Sequence, residues 1–472
     1  MTEHESIVSD APGPGSAGHE PTAHLAVLAS EAYVVGFPLV FGLEQVDRSV
    51  REGLGALPAA PFNTFCHARA LAGPGERFVS INNDTVYSVA QIDLGVGPVL
   101  LGVPDAGERY HVLQFVDAWT NNFAYIGTRA TGAGAREYLL LPPDGTGSGM
   151  GAGAAADYER PDVTAVRFPT RIATIVGRWA VDGPEDLPAV HALQDALTLT
   201  PVLRSLVPPA GVPEAPAQGT EAMTFFERLR VWSQVFPPAE RDREALASYT
   251  ELGLTGEVPV ADLPSETIAA LETGYAVGRE ALETSVRSGS PLVDHWQSTL
   301  HAFDYNLDFF EVGALDDPAW KLDDPRTRYA VRAGAALGGL WGNHGYEAAY
   351  SATYEDADGA LLSGEHVYRL RLAPTPPVGA FWSLTMYDLP GFFLVANAAE
   401  RYSIGDRTRG IVYDDDGGLT ITMSATRPTD PTAAANWLPT PAGNFRPMMR
   451  MYAPGAAVLS GGYRLPAIER IG

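Results

Sequence analysis

The sequence predicts an α+β fold that is mainly antiparallel β, with two jelly-roll or sandwich-like β domains joined by a central helical block. Three observations predict it. Between residues 77 and 181, short β-branched or aromatic runs alternate with period two and are separated by Gly, Asn and Asp. From 221 to 312 the segments are long, poor in glycine clusters, and apolar at three- and four-residue steps. From 366 the period-two pattern returns. The expected organisation is a disordered tail at 1–21, an N-terminal β-rich domain with a leading helix at 22–206, a proline-rich crossover and helical block at 207–341, and a C-terminal β-rich domain at 342–472.

In chain order, residues 1–21 hold Pro, Gly, Ser, Glu and His with almost no large apolar groups, too little to offset the entropy of ordering. Residues 22–50 have helical spacing through Leu25, Leu28, Ala32 and Val35, with Thr22 as N-cap and a kink expected at Pro38. Strands are expected at 77–81, 86–94, 98–103, 109–117, 123–130 and 171–181. Residues 144–153, DGTGSGMGAG, lack the Lys-Ser/Thr that follows a phosphate cradle and read as a linker or lid. Residues 207–218 carry four prolines and end the first β region. Helices are expected at 221–236, 241–249, 265–287, 291–312 and 327–341. In the fourth of these, Leu292, His295, Trp296, Leu300, Phe303, Leu307 and Phe310 trace one stripe. Strands then resume at 366–372, 380–388, 392–396, 410–413, 419–426 and 445–452, with Asp358-Gly359 and Asp416-Gly417-Gly418 as tight-turn signals.

Composition bounds the chemistry. The 472 residues carry 57 acidic and 32 basic side chains, a formal charge of −25, which repels a nucleic-acid backbone or an anionic membrane surface. A single cysteine, Cys66, excludes an intrachain disulfide, and Lys321 is the only lysine available for Schiff-base chemistry. There is no charged start followed by an apolar stretch and a cleavage site, and no unbroken apolar run of about 18 residues. The expected location is therefore the cytoplasm, with no membrane partner. No His-Glu-x-x-His, cysteine pair, dinucleotide glycine fingerprint, Walker loop or Gly-x-Ser-x-Gly elbow is present, so the common metal and cofactor classes lose their usual anchors.

The densest polar run, Ser80 to Tyr87, is an Asn/Asp turn feeding a strand. Asp84 is its candidate acid, base or ligand; the competing reading is that Asn and Asp side chains cap their own turn. Behind it Tyr87, Val89, Gln91 and Asp93 share a strand face that is either solvated or lines a polar cavity. His111 and Asp117 lie about 20 Å apart on a straight strand and form no dyad. Asp117 instead leads into Trp119, Asn121 and Asn122, a carboxylate, an indole and two amides of the kind that build small-molecule pockets. Trp119 as a core plug is the alternative. In residues 381–388, Trp382, Leu384 and Met386 lie opposite Phe381, Ser383, Thr385 and Tyr387, a mixed face able to border a site. Arg401 and Arg407 flank a Gly-Asp turn and either grip a ligand carboxylate or tie to Asp406 or another local carboxylate. Cys66 reads as a buried, inert thiol, and the run starting at Asp356 reads as a hairpin turn, since it lacks ligands of a calcium loop.

The stretches PFNTF, INNDTVYS and DAWTNNFAYIGTRATG, then FWSLTMYD, RYSIGDR, DGGLTIT, NWLPTPAGNF and MYAP, followed by Leu459 and Tyr463, resemble the paired bacterial families called domain of unknown function 1254 and domain of unknown function 1214. The resemblance spans nearly the whole chain after the tail. It implies two β-rich, jelly-roll-like domains with intervening helices, and no settled reaction. The sequence departs from it at PPDGTGSGMG, where relatives carry a Gly-Pro-x-Trp type segment, and in the secretion signal that many relatives carry.

The function expected from these residues is that of a cofactor-independent enzyme acting on a small, largely apolar metabolite by acid–base chemistry, as a hydrolase, lyase or isomerase. Asp84 or Asp117 would supply the acid or base, with Tyr87 beside it. Asn83 and Asn121 would orient the substrate, Trp119 and Trp382 would wall it, and Arg401 would hold a charged end. No metal is expected; a metal-dependent variant using His67 or His111 ranks third. The alternative is a noncatalytic module that binds a ligand or assembles with itself through its sheets.

Overall fold

A computed structural model describes residues 19–76, 80–143, 161–203, 208–289 and 292–472. The expected loop at 144–153, the tail up to residue 18, and the beginnings of the expected strand at 77 and of the proline-rich segment at 207 lie outside the described residues. The chain divides into two compact units. One comprises Met1–Gly36 with Glu214–Glu283, and the other Phe37–Pro213 with Thr284–Gly472.

Helix α1 (His19–Arg51) begins three residues before the expected cap and runs through Pro38. Within Ala23–Arg51 an 18-residue window of mean hydropathy 1.7 makes the helix long and apolar enough by length and composition to cross a bilayer. The criterion of an unbroken apolar run misses it because Ser30, Glu31, Gly36 and Pro38 interrupt the run without lowering its mean. Of that window 56% is buried inside the protein.

Strands β1 (Phe65–His67), β2 (Thr85–Asp93), β3 (Val99–Val103), β4 (His111–Asp117), β5 (Asn122–Gly127), β6 (Arg136–Leu141), β7 (Thr164–Arg167), β8 (Ile172–Ala180) and β9 (Thr198–Pro201) follow, with helix α2 (Leu187–Asp195) before β9. They form a five-stranded sheet in the order β1-β2-β8-β4-β5 and a four-stranded sheet in the order β7-β6-β3-β9. Alternation puts Val86, Ala90, Ile92, Leu113, Phe115, Ile175 and Trp179 of the first sheet against Val99, Leu101, Tyr138 and Leu140 of the second. The pairing is antiparallel except between β6 and β7.

The first unit is helical. Helices α3 (Glu221–Val235), α4 (Arg243–Ser248) and α5 (Ser265–Ser288) come in succession, and Thr220 caps α3 by accepting from the Met223 N–H at 3.2 Å. Within the unit, Gly274 and Gly278 let α5 approach α1 closely: a Cβ on Gly274 would stand 2.4 Å from the Ala29 Cβ. Tyr33 packs on Phe225 and Tyr275 at ring separations of 4.7 and 5.1 Å.

The expected helix at 291–312 does not form. Its start is a hairpin of β10 (Leu292–Val293) and β11 (Trp296–Ser298), turned through Asp294 and His295 at positive φ. Two successive left-handed residues make a tight hairpin turn and end any helical periodicity there. After helix α6 (Pro325–Gly339), capped by Asp324 on the Thr327 N–H at 2.8 Å, come β12 (Ala348–Ala352), β13 (Tyr368–Leu372), β14 (Val378–Asp388), β15 (Ser403–Gly405) and β16 (Leu419–Ser424). The chain continues with α7 (Pro431–Ala435), β17 (Trp437–Pro439), β18 (Phe445–Pro454), α8 (Ala456–Leu459) and β19 (Glu469–Arg470). The strands expected at 392–396 and 410–413 are absent; the first is reduced to a single bridge, Tyr387 with Leu394. A six-stranded sheet, β10-β11-β12-β18-β14-β15, packs Ala349, Trp382, Leu384, Met386, Met449 and Met451 onto a four-stranded sheet, β17-β16-β13-β19. Four mostly antiparallel sheets and a helical block thus realise the predicted class.

The larger sheet of each sandwich has an outer face turned toward the other sandwich. On the five-stranded sheet it carries Tyr87, Val89 and Gln91 from β2 opposite Arg178, Val176 and Thr174 from β8, with Gln114 and Tyr125 beyond. On the six-stranded sheet it carries Tyr350, Phe381, Ser383, Thr385, Tyr387, Arg450 and Tyr452. These two faces meet within the second unit, where Tyr110, Val112, Tyr125 and Ala180 cluster with Tyr346, Ala348, Phe381 and Tyr452. Each sheet therefore has an apolar face in its own core and a tyrosine- and arginine-bearing face turned toward the other.

Candidate functional site

Asp84 sits just before β2 and is only 4% exposed. Its turn forms because the Asn82 side chain accepts from the Asp84 N–H at 2.6 Å, leaving the Asp84 carboxylate free to point away. Its Oδ2 accepts from the Ser383 hydroxyl at 2.7 Å and the Tyr452 hydroxyl at 3.0 Å, both on the facing sheet. Asn82 Nδ2 donates to the Tyr452 hydroxyl at 3.1 Å, so Tyr452 is fixed by both its neighbours. Burial holds the Tyr452 phenol well above its ordinary pKa, and the Asp84 charge adds to this. Arg407, stacked 3.5 Å over Phe381, closes the edge by donating to the Asp84 carbonyl at 3.3 Å.

Farther into the layer stands Arg178. Its guanidinium donates to Gln114 Oε1 at 2.7 Å, Asn343 Oδ1 at 3.1 Å and the Trp341 carbonyl at 2.8 Å, and lies 5.4 Å from the centre of the Tyr87 ring. Opposite, Arg450 donates to the Thr385 hydroxyl at 2.9 Å, the Tyr387 hydroxyl at 2.7 Å and the Ser80 carbonyl at 2.8 Å. The Tyr350 phenol is pushed up by burial, while Arg178 and Arg450 both pull it down. Asn343 is fully buried, and its Nδ2 has no acceptor in good geometry beyond a loose interaction with the Tyr350 hydroxyl. The loop carrying Asn343 is pinned through the Gly342 carbonyl, which accepts from Gln114 at 2.7 Å and Asn122 at 3.0 Å.

Of the residues singled out from sequence, Asp84 and Tyr87 lie on this layer. Asp117, Trp119 and Asn121 do not. Thr85 pairs with Ala180 and Asp117 with Ala173, so Asp84 and Asp117 stand at opposite ends of β8, roughly 20 Å apart. The Asp117 carboxylate caps its own loop, accepting from the Trp119 N–H at 2.9 Å, the Asn121 N–H at 2.8 Å and Asn121 Nδ2 at 2.9 Å. Burial raises its pKa to about 6 against these hydrogen bonds and the nearby Arg332. Trp119 is buried at 2% exposure. Asn83 is a tie rather than a ligand group, donating to the Ala72 carbonyl at 2.6 Å. Trp382 falls on the core face of β14 among Leu384, Met386 and Met449, because alternation sends Phe381 and Ser383 to the layer instead. Arg401 binds the Ala435 and Trp437 carbonyls at 2.9 and 3.0 Å, not Asp406.

His67 bonds the Ser88 hydroxyl at 2.8 Å and His111 stacks on Trp179 at 4.9 Å; burial lowers each to a pKa of about 4. Cys66, buried, donates to the Val89 carbonyl at 3.3 Å, and burial raises its pKa. Among the described residues no group of three or more His, Cys, Asp or Glu side chains is placed to hold a metal.

Sequence reasoning missed Arg178, Asn343, Tyr350 and Arg450. The signal was present for two of them: Arg178 is the one charge in β8, and Arg450 stands in the apolar run Met448 to Tyr452, which burial tolerates only with dedicated partners. It also missed a second buried cluster. Asp304, with its side chain fully buried, takes His301 Nδ1 on one oxygen at 2.5 Å and His344 Nδ1 on the other at 2.9 Å. The Asp304 hydrogen bond raises His301, whereas burial lowers His344. His344 stacks on Tyr346 at 3.8 Å, over which Arg129 lies at 4.5 Å.

These features define a paired β-sandwich protein whose two sheet faces enclose a polar, aromatic layer. The chain belongs to the two-domain family in which the protein of unknown function DUF1254, matching residues 62–201, is followed by the protein of unknown function DUF1214, matching residues 347–456. Among solved structures it is similar to the VPA0106 protein from Vibrio parahaemolyticus, at 24% identity and a TM-score of 0.70 over 95% of this chain and 100% of that one. An uncharacterized protein from Burkholderia cenocepacia aligns at 12% identity and a TM-score of 0.44 over 96% of each chain. No curated protein matches the chain. The first match supplies Asp84, Tyr87, Gln114 and Arg178 to the layer, and the second Tyr350, Ser383, Arg450 and Tyr452.

Proposed function

We propose that this protein is a cofactor-independent enzyme that performs acid–base chemistry on a small, largely apolar molecule held in the layer between the two sandwiches, with Asp84 as its acid or base. The observation that carries the reading is the Asp84 carboxylate, buried yet held by two hydroxyls from the facing sheet rather than by a cation. Hydroxyl donors position a carboxylate without neutralising it, which leaves it able to exchange a proton. Tyrosine faces from both sheets supply apolar walls with convergent polar groups, the usual make-up of a small-molecule site. Asp117, Trp119, Asn121, Asn83, Trp382 and Arg401 are left out of this site because their partners are their own loops, carbonyls or core. A noncatalytic binder is the second reading, favoured by the same cross-sheet bonds, which also serve as ties between the two halves.

Asp84→Asn separates the two. The amide oxygen still accepts from Ser383 and Tyr452, so the fold is retained, but the basic carboxylate is gone. Purified protein incubated with the small-molecule fraction of a cell extract, followed by mass spectrometry, should deplete a compound that the variant leaves intact. Equal depletion by both proteins removes Asp84 from the chemistry; binding without depletion by the wild type favours the noncatalytic reading.

A further inference from the structure

The layer contains an imbalance of charge. Arg178 is 6% exposed and Arg450 is 3% exposed. Three other enclosed arginines have a carboxylate, Arg171 with Asp93 at 2.6 Å, Arg230 with Glu227 at 2.6 Å and Arg109 with Asp186 at 2.5 Å, whereas Arg401 has two carbonyls. Arg178 and Arg450 have only neutral acceptors: two side-chain amides and a carbonyl for the first, two hydroxyls and a carbonyl for the second. A buried cation without a counter-ion is costly, and neutral dipoles recover only part of its lost hydration. Glu347, the other buried carboxylate nearby, is taken by Arg129 at 2.5 Å and the Tyr110 hydroxyl at 2.8 Å. That leaves Asp84 facing Arg178, Arg450 and Arg446, the last bonded to Ser80 Oγ and the Tyr354 hydroxyl, so cations outnumber anions in the layer.

The least buried residues of two layer strands lie beside these arginines. On β2, Tyr87 is the only residue of nine that is not buried, and on β12 Tyr350 is the only one of five. Tyr87 is the cross-strand partner of Arg178, and Tyr350 of Arg450. Each guanidinium thus has a partly exposed tyrosine beside it, and the half-buried Trp341 lies next to Arg178.

Resting on the reading of this layer as the ligand site, the geometry points to a substrate that is a monocarboxylate, its head between Arg178 and Arg450 and its apolar body against Tyr87 and Tyr350. Planar guanidinium forks match a carboxylate in shape, and an anionic head offsets the excess of cations.

The test measures binding, not turnover. Benzoate and hexanoate, with the neutral isosteres benzamide and hexanamide and with inorganic phosphate, are titrated into the full chain by calorimetry and thermal shift. At least one carboxylate should bind and raise the melting temperature while its amide does not. Arg178→Met, which keeps the apolar stem, should weaken the carboxylate by about tenfold or more. Arg178→Lys, which keeps the charge but not the fork, covers the case in which the methionine variant fails to fold and should lose most of the same affinity. Asp84→Asn should bind the carboxylate at least as well as wild type, so loss of turnover there with binding intact separates this inference from the catalytic one. The inference is overturned if amides bind as well as acids, if phosphate binds in place of the carboxylates, if both variants bind like wild type, or if neither carboxylate binds.

Discussion

Removing the Asp117 charge should change how stability depends on pH, by an amount the structure fixes. The carboxylate is 5% exposed, and burial raises its pKa from 3.8 to about 6 despite three N–H donors. Between those values the folded chain holds a proton that the unfolded chain has released. Stability from this group is therefore greatest below pH 3.8 and falls as pH rises through about 6. At about 1.4 kcal/mol per pH unit, the interval is worth about 3 kcal/mol. Asp117→Asn keeps an oxygen for the two backbone N–H groups but sets an amide against Asn121 Nδ2, a loss of about 1–2 kcal/mol at acid pH. Relative to wild type the variant should gain steadily as pH rises from 4 to 7 and level off above it. Urea denaturation of both proteins at half-unit pH steps, followed by tryptophan fluorescence, reads the difference directly. A difference that stays flat, or that moves the other way because the hydrogen bonds outweigh burial, would refute the reasoning.

Two further outcomes follow from other buried groups. His301 should titrate above the ordinary histidine value of about 6.5 and His344 below it, resolved by imidazole NMR with His301→Gln and His344→Gln for assignment. The first stabilises the fold at pH below 6.5 and loses its effect as pH rises through its raised value, whereas the second disfavours the fold as pH falls below 6.5; coincident titration of the two would contradict the shared Asp304 geometry. Asp93→Ala leaves Arg171 and the Gly95 and Gly211 N–H groups without their carboxylate, and should cost about 3–5 kcal/mol in chemical denaturation. A cost below 1 kcal/mol would show that solvent replaces the carboxylate.

What the sequence discloses follows from the range of each interaction. Strands β2, β4, β14 and β18 are legible because alternation is local, and it assigns the Phe381 and Ser383 side of β14 to a different surface from Trp382. The small alanines of β12 carry no such signal, and the tight turn at Asp294 and His295 undoes a helix that spacing alone supports. Asp84 is legible as an acidic residue at a strand entrance. Its hydroxyl donors are not, since Ser383 and Tyr452 reach it only once two sandwiches face each other. Asp117, Trp119 and Asn121 have the composition of a pocket and the geometry of a self-capped loop; residue type cannot tell the two apart, because the same N–H acceptor serves both.

The facing tyrosine and arginine surfaces make each sandwich an unfinished object by itself. Cut from its companion, the amino-terminal half would offer Tyr87 and Arg178 to water, and the carboxy-terminal half Phe381, Arg450 and Tyr452. Such broad, sticky patches drive clumping rather than solubility. The two modules are thereby bound to travel as one inherited piece, each acting as the lid of the other.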